Sequence, residues 1–523
     1  MKKYFLMMLS VLTLSFASSS ISFADDGEEA SLHEEISTND VDNISPDADV
    51  HASNGTHVEH HNHSPAPWAV APFVLLLLMI ATGPLFFEHF WHKNYHLVAI
   101  LLGLLMIGYY IFFLEDLDSV IHSLAEYVQF IALLAALFMA AGGIMIRIDK
   151  KGTPMANVVL LLIGAVLANV IGTTGASMLL IRPFINLNKS RIKAYHVVFF
   201  IFMVSNVGGA LTPIGDPPLF LGFLKGVPFT WTITHDFAPW VFAILCLAIV
   251  FFIFDSKNKS GENDTAEYTG KFTIKGSLNF IWISIIIAAV FLDPNVFDWV
   301  PSINVKLHGE LVKISFLREI IMLSVGFLAY YFANEDALKG NEFDFEPIKE
   351  VAFIFVGIFF TMMPALALVS AFAKTPEGAG MINIHSLYWL TGALSGVLDN
   401  APTYVTFLTA AIAGDHGDIS KTIVEAGQTI PMAKAYALES GIFKNTESVV
   451  RLTAISCASV FFGAMTYIGN APNFMVKAIA EQSGVKMPSF VAYITKYSLV
   501  ILLPILLLVW LVFFYGGAIN FFI

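Results

Sequence analysis

The feature that most constrains this chain is its series of apolar runs, each close to the length at which a helix crosses a bilayer. About 20 consecutive apolar residues suffice for a crossing. Runs of this kind fall near 68–87, 96–114, 127–146, 194–222, 237–254, 277–292, 317–332, 350–372, 449–475 and 490–519. Two further apolar segments, near 156–181 and 385–410, are set apart by their flanks. Of the 523 residues 56% are hydrophobic and only 13% are charged, against roughly 45–50% apolar and about 25% charged in soluble domains. The sequence therefore predicts an all-α polytopic membrane protein of about ten transmembrane helices and excludes a large soluble enzyme.

The formal net charge of −13 is concentrated near the N-terminus. Residues 25–66 hold eleven acids and no Lys or Arg; with Lys2 and Lys3 ahead of them, residues 67–523 carry −4. No basic field that would attract nucleic acid exists. Residues 1–24 have the charged start, apolar middle and Ser22/Ala24 end of a signal peptide. The exported segment that follows is acidic and almost free of aromatics, a composition expected to be disordered. His57, His60, His61 and His63 within it are candidates for weak divalent-cation binding. Cys246 and Cys457 both lie inside apolar runs, which excludes a disulfide framework or a CxxC site and suits small buried residues.

Basic residues mark the cytoplasmic ends of spans. With the tail exported, loop 115–123 lies outside and has no Lys or Arg, whereas Arg147, Lys150 and Lys151 fall inside. Segment 156–181 is followed by Arg182, Lys189, Arg191 and Lys193. Basic residues on both flanks predict a re-entrant hairpin that enters and returns on one side, and Lys257, Lys259, Lys271 and Lys275 then also fall inside. Irregular backbone at membrane depth survives only where protein buries it or a polar cavity adjoins it, so a hairpin points to a site.

The chain contains an internal repeat. SNVGGALTPIGDPPLF (205–220) aligns without gaps on SVFFGAMTYIGNAPNF (459–474), with Ser, Gly, Ala, Thr, Ile, Gly, Pro and Phe shared in register. Upstream, GAVLANVIGTTGASMLL (164–180) corresponds more loosely to GALSGVLDNAPTYVTFL (392–408). Each half then holds five spans and one hairpin, and an odd number of spans inverts the second copy. Inverted repeats with broken helices are the architecture of secondary transporters, whose sites lie where the breaks meet. The expected organisation is a signal peptide (1–24), an acidic histidine-rich segment (25–66), a first transporter repeat (67–255), a cytoplasmic linker (256–276) and a second repeat (277–523). The membrane is expected to be a bacterial inner membrane, with the N-terminal tail and the C-terminus on the exported side.

Ionisable side chains inside spans are functional candidates by default. Asp399 lies in the second hairpin beside Asn400 and ahead of Thr403, and Asp216 lies in the first break beside Thr212. Together with neutral oxygens they suit a hard cation such as Na⁺, and a buried carboxylate also takes a proton when the cation leaves. The alternative for both acids is helix capping. Asn169, Thr173, Thr174 and Ser177 supply neutral oxygens in the first hairpin, and Thr466, Asn470 and Asn473 do so in the second break. Arg182 and Arg451 sit at span edges and suit snorkelling; His196, His235 and Tyr404 suit interface or packing roles.

The paired hairpins and the GGALTPIGDPP and GAMTYIGNAPN breaks resemble the ion transporter superfamily, which includes NhaD-type sodium/proton antiporters, arsenite permeases and citrate or divalent-anion/sodium symporters. The resemblance implies cation and substrate binding at hairpin tips and breaks, an elevator-like motion and a homodimer. It implicates Asn169, Thr173 and Thr174; Asn206, Thr212 and Asp216; Asp399, Asn400 and Thr403; and Thr466, Asn470 and Asn473. The Ser-Asn-Thr tips of the dicarboxylate branch are absent: Ala168-Asn169-Val170 and Leu398-Asp399-Asn400 stand there. An anion beside Asp399 would meet repulsion on the order of several kcal/mol in low dielectric. Na⁺/H⁺ antiport is therefore the favoured expectation and citrate or dicarboxylate symport the alternative, with the ions as cargo and no cofactor. A receptor or scaffold built around the tail has no need of duplicated breaks, and no nucleophile–base pair or metal motif supports a membrane enzyme.

Overall fold

The computed structural model describes residues 64–260, 268–294, 297, 299–307, 310–414 and 446–515. The expected signal peptide and the acidic segment as far as residue 63, with His57, His60, His61 and His63, lie outside the described residues. Polar insertion 415–445 and residues 516–523 lie outside as well.

The protein is an all-α polytopic membrane protein. Following a turn at Pro67–Val70, the first repeat comprises α1 (Ala71–Phe86), α2 (Glu88–Phe112), α3 (Leu117–Gly142), a long α4 (Pro154–Leu187), the broken pair α5 (Ala194–Met203) and α6 (Pro217–Leu224), and α7 (Phe237–Ser256). The second comprises α8 (Leu278–Val290), α9 (Leu317–Tyr331), α10 (Glu346–Ala373), α11 (Ile384–Ser395), α12 (Asn400–Gly414), the broken pair α13 (Thr446–Phe462) and α14 (Ala471–Gln482), and α15 (Phe490–Tyr515), which is partly π-helical. Among the described residues eight helices are long and apolar enough to cross a membrane. Their outer faces suit lipid. On α2, Leu97, Leu101, Leu104, Leu105 and Phe112 are at least half exposed while Ala99, Met106 and Tyr110 are buried. A contiguous apolar face of that size is untenable in water.

The longest of the eight, α4, is not a span. Gly172 interrupts it with φ +77° and ψ 155°, a backbone region open in practice only to glycine. The two arms then run back alongside each other. Asn157 and Asn188 exchange two hydrogen bonds at 2.8 and 2.7 Å, and a Cβ on Gly164 would lie 3.2 Å from Leu180. The expected hairpin at 156–181 is present and extends through 154–187. Its base is pinned by the buried Asp255 at the end of α7, which accepts from Arg191 (2.8 and 3.1 Å), Tyr195 (2.7 Å) and Asn157 (2.8 Å), with His196 Nε2 at 2.9 Å. The second hairpin is α11 and α12, joined by a tip at 396–399, and a Cβ on Gly414 would lie 2.6 Å from Ile382 at the opposite end.

The basic clusters gather at one end of the bundle. Strand β1 (Met145–Ile148) pairs antiparallel with β2 (Phe272–Lys275), joining the Arg147 and Lys271–Lys275 loops, and Arg191 reaches Asp255 just before Lys257. A second ribbon, β3 (Ile303–Leu307) with β4 (Glu310–Ile314), links α8 to α9.

Packing follows the repeat. α2 packs on α10 and α3 on α9, so each repeat's second helix lies against the other repeat's third. α6 packs on α12 and α14 on α4, so each break lies against the other repeat's hairpin. The hairpins and breaks thus form one interlocked group, bordered by α1–α3 and α8–α10. Arg182–Glu342 at 2.8 Å and Lys225–Glu126 at 2.9 Å tie the two groups together. Arg451, the other edge arginine, pairs with Glu447 one turn away.

Candidate functional site

The site grows from two failures of helix. After Met203 the chain turns at 204–206, makes a 3₁₀ turn at Val207–Gly209 and resumes as α6 only at Pro217. α13 likewise ends at Phe462, and α14 begins at Ala471. The two breaks have the same construction. Thr212 Oγ1 accepts from the Gly215 amide and Thr466 Oγ1 from the Gly469 amide, both at 3.1 Å. A Cβ on Gly215 would collide with the Gly209 carbonyl, and one on Gly469 with that of Gly463.

Asp216 is the N-terminal flanking residue of α6, yet its side chain makes no capping bond. It is 1% exposed and accepts hydrogen bonds from three other elements. Thr173 Oγ1, from the first hairpin, donates to Oδ1 at 2.8 Å, and Asn470 Nδ2, from the second break, donates to the same atom at 2.8 Å. Asn400 Nδ2, from the second hairpin, donates to Oδ2 at 2.5 Å. Asp216 and Asn470 occupy equivalent positions of the two repeats, so the equivalents meet. A carboxylate offers about four lone-pair sites; three are used.

Around this centre the carboxamides fasten the breaks. Asn169 Nδ2 donates to the Gly208 carbonyl at 2.6 Å, Asn169 Oδ1 accepts from the Leu211 amide at 2.8 Å, and Thr212 Oγ1 donates to the Asn169 carbonyl at 2.6 Å. Asn206 Nδ2 donates to Asn473 Oδ1 at 2.6 Å, and Asn473 Nδ2 donates to the carbonyls of Gly463 and Thr466 at 2.9 Å. Asn206 Oδ1 and Asn400 Oδ1 are buried without a hydrogen-bond partner. Both carboxamides converge on Gly463, where a Cβ would lie 3.0 Å from Asn206 Oδ1 and 3.3 Å from Asn400 Nδ2. Two unpaired carboxamide oxygens near a carboxylate form a set of hard donors that fits an alkali cation.

Nine of the twelve residues singled out in the sequence (Asn169, Thr173, Asn206, Thr212, Asp216, Asn400, Thr466, Asn470 and Asn473) belong to this network. The other three lie at its edge. Asp399 is half-buried and its Oδ1 accepts from the Ala401 amide at 3.0 Å, so it caps α12. Thr403 Oγ1 donates to the Asp399 carbonyl at 3.0 Å, and Thr174 borders a cavity. Of the two acids, capping is thus the part of Asp399, and Asp216 holds the centre.

That cavity, of about 520 Å³, lies between the hairpin group and its border helices. Gly172, Thr173, Gly215, Asp399 and Asn470 are among the residues that line it. Arg182, Glu342, Glu346 and Glu350 lie along its course, and Arg182 is neutralised by Glu342. Acids are therefore in excess among the charged residues that line the cavity.

A family described as "Putative citrate transport" matches residues 62–514. The chain belongs to this family. The match spans both hairpins and both breaks, and the family's description points to a secondary transporter. No curated protein gives a significant match.

Proposed function

We propose that this member of the citrate-transport family is a Na⁺/H⁺ antiporter in which Asp216 binds Na⁺ and H⁺ in turn. The observation that carries the reading is the single carboxylate at the meeting point of both hairpins and both breaks, ringed by neutral donors. Na⁺ bound there would be held by Asp216 and by the free oxygens of Asn206 and Asn400. When Na⁺ leaves, a proton on Asp216 removes the cost of a bare buried charge. One charge then crosses in each direction by the same group. The acids of the passage favour a cation over citrate, because like charges at close range in low dielectric cost several kcal/mol. The basic end of the bundle would be cytoplasmic, which makes this cavity an inward-facing passage. The protein would then sit in the inner membrane, as an NhaD-like branch of the superfamily and in homodimeric form.

A second reading, cation-coupled citrate symport, is compatible with the family's description. Proteoliposomes holding a pH-sensitive dye separate the two when NaCl, LiCl, KCl or citrate is added outside. Antiport predicts sodium-driven proton efflux without citrate. Sodium-dependent uptake of labelled citrate with no such efflux would replace antiport by symport.

A further inference from the structure

The two ends of the bundle are built differently. Toward the basic clusters lies the cavity, lined by α10 of the border and α14 of the hairpin group. At the other end the same two groups are in contact. Glu126 stands 16 residues before Gly142 on α3, about 24 Å along the axis at the helical rise, and so far from β1. Lys225 directly follows α6, 12 residues before α7 sets out for the Asp255 cluster. Lys225 Nζ meets Glu126 Oε1 at 2.9 Å, and His122 Nε2 lies 3.2 Å from the same oxygen. At this end, too, the Arg318 guanidinium of α9 lies 5.9 Å from the Phe223 ring centroid, and the Phe229 and Phe291 rings are 4.6 Å apart.

The repeat makes the difference between the ends explicit. Phe220 and Phe474 are equivalent positions of the two breaks. Phe220 is 1% exposed, its ring 6.3 Å from that of Phe130 on α3, whereas Phe474 is 38% exposed and borders the cavity. The half-helix α6 is thus seated on α3, while its counterpart α14 faces α10 across the cavity. Inverted copies that rock against each other exchange such an asymmetry between the ends, and the exchange requires α6 to leave α3. The ion pair that crosses this end has side chains 21% and 10% exposed; Arg182–Glu342, which crosses the basic end, leaves Glu342 70% exposed. Exposure to water makes a pair weak, whereas separating a buried pair strands its charges.

We propose that the Lys225–Glu126 ion pair is a latch. It holds α6 on α3 and keeps the end away from the basic clusters shut, and it opens when α14 closes over the cavity toward α10. The latch rests on the chain being a transporter and not on which ion or anion it carries.

Disulfide formation across the cavity tests the latch without reference to cargo. Glu350 on α10 and Ala478 on α14 both line the cavity, so Glu350→Cys with Ala478→Cys, on a background lacking Cys246 and Cys457, reports the approach of α14 to α10. Under a mild oxidant, adding Lys225→Met should speed this disulfide roughly 5-fold or more. Exchanging the charges, Glu126→Lys with Lys225→Glu, should return it to the original rate. A pair that only supports the fold would lower the unfolding midpoint and leave this rate alone. A rate unmoved by Lys225→Met, or one that the exchanged pair does not restore, would overturn the proposal. A second measurement acts on protein that has already folded: Glu126→Cys with Lys225→Cys, bridged by a reducible bis-methanethiosulfonate, should stop sodium-driven proton efflux or citrate uptake, whichever the wild type performs, and a reductant should restore it. Transport that continues in the bridged protein would refute the latch. If the wild type performs neither, the function proposed above fails and the disulfide rates still decide the latch.

Discussion

At the residue scale, the chemistry reduces to how one carboxylate is held. Asp216 is gripped by Thr173, Asn400 and Asn470, each from a different element, so its position reports on all of them. A hydrogen bond to a charged group is worth about 1.5–3 kcal/mol. Asn400→Ala should therefore weaken sodium binding roughly 10- to 150-fold, measured by calorimetry on purified protein; an unchanged affinity would remove Asn400 from the site. Much of this centre was legible in the sequence, because the repeat aligns Asp216 with Asn470 and Thr212 with Thr466. The division of labour between Asp216 and Asp399 was not. Both acids precede a half-helix, and only the fold shows that Asp399 takes the Ala401 amide while Asp216 turns to three side chains from elsewhere.

At the element scale, the hairpins make the difference between a bundle and a transporter. The first depends on Gly172, whose φ of +77° admits an L-residue only with strain, and whose Cβ would lie 3.3 Å from the Ile214 carbonyl. Such strain costs about 1–3 kcal/mol. Gly172→Ala should lower the thermal unfolding midpoint and weaken sodium binding together, as followed by a thermal shift with and without NaCl; a midpoint and affinity equal to wild type would deny the tip its role. The basic flanks made this hairpin readable, but its base was not, since the Asp255 cluster joins residues from 157 to 255 that no local window brings together. Outside the spans, Asp149 closes the β1–β2 ribbon. Hydrogen bonds from the Thr269 hydroxyl and amide hold its carboxyl below the usual range. A depressed folded value means the contribution is present above the unfolded value of about 4 and is lost as pH falls through the folded one. Protection of the Thr269 amide against hydrogen exchange should drop in acid below that range; protection that persists would show that Asp149 does not hold the ribbon.

At the scale of the whole molecule, two inverted copies interlock so that each repeat's hairpin packs on the other's break, and the meeting point becomes the site. The odd number of spans and the basic clusters made the inversion legible; the interlocking was not, because sequence similarity gives equivalence and not contact. Sidedness is open to a direct check. Single cysteines at Lys151 and Lys189, on a background lacking Cys246 and Cys457, should both be labelled by an impermeant maleimide only from the cytoplasmic face. Labelling on opposite faces would refute the hairpin.

The most direct test of the central role given to Asp216 is equilibrium binding of radioactive sodium to purified wild type, Asp216→Asn and Asp399→Asn over a range of pH. The arrangement predicts that wild-type affinity falls as the pH is lowered and protons compete, that Asp399→Asn binds more weakly yet keeps this pH dependence, and that Asp216→Asn loses sodium binding altogether. Wild-type sodium affinity in Asp216→Asn would contradict it.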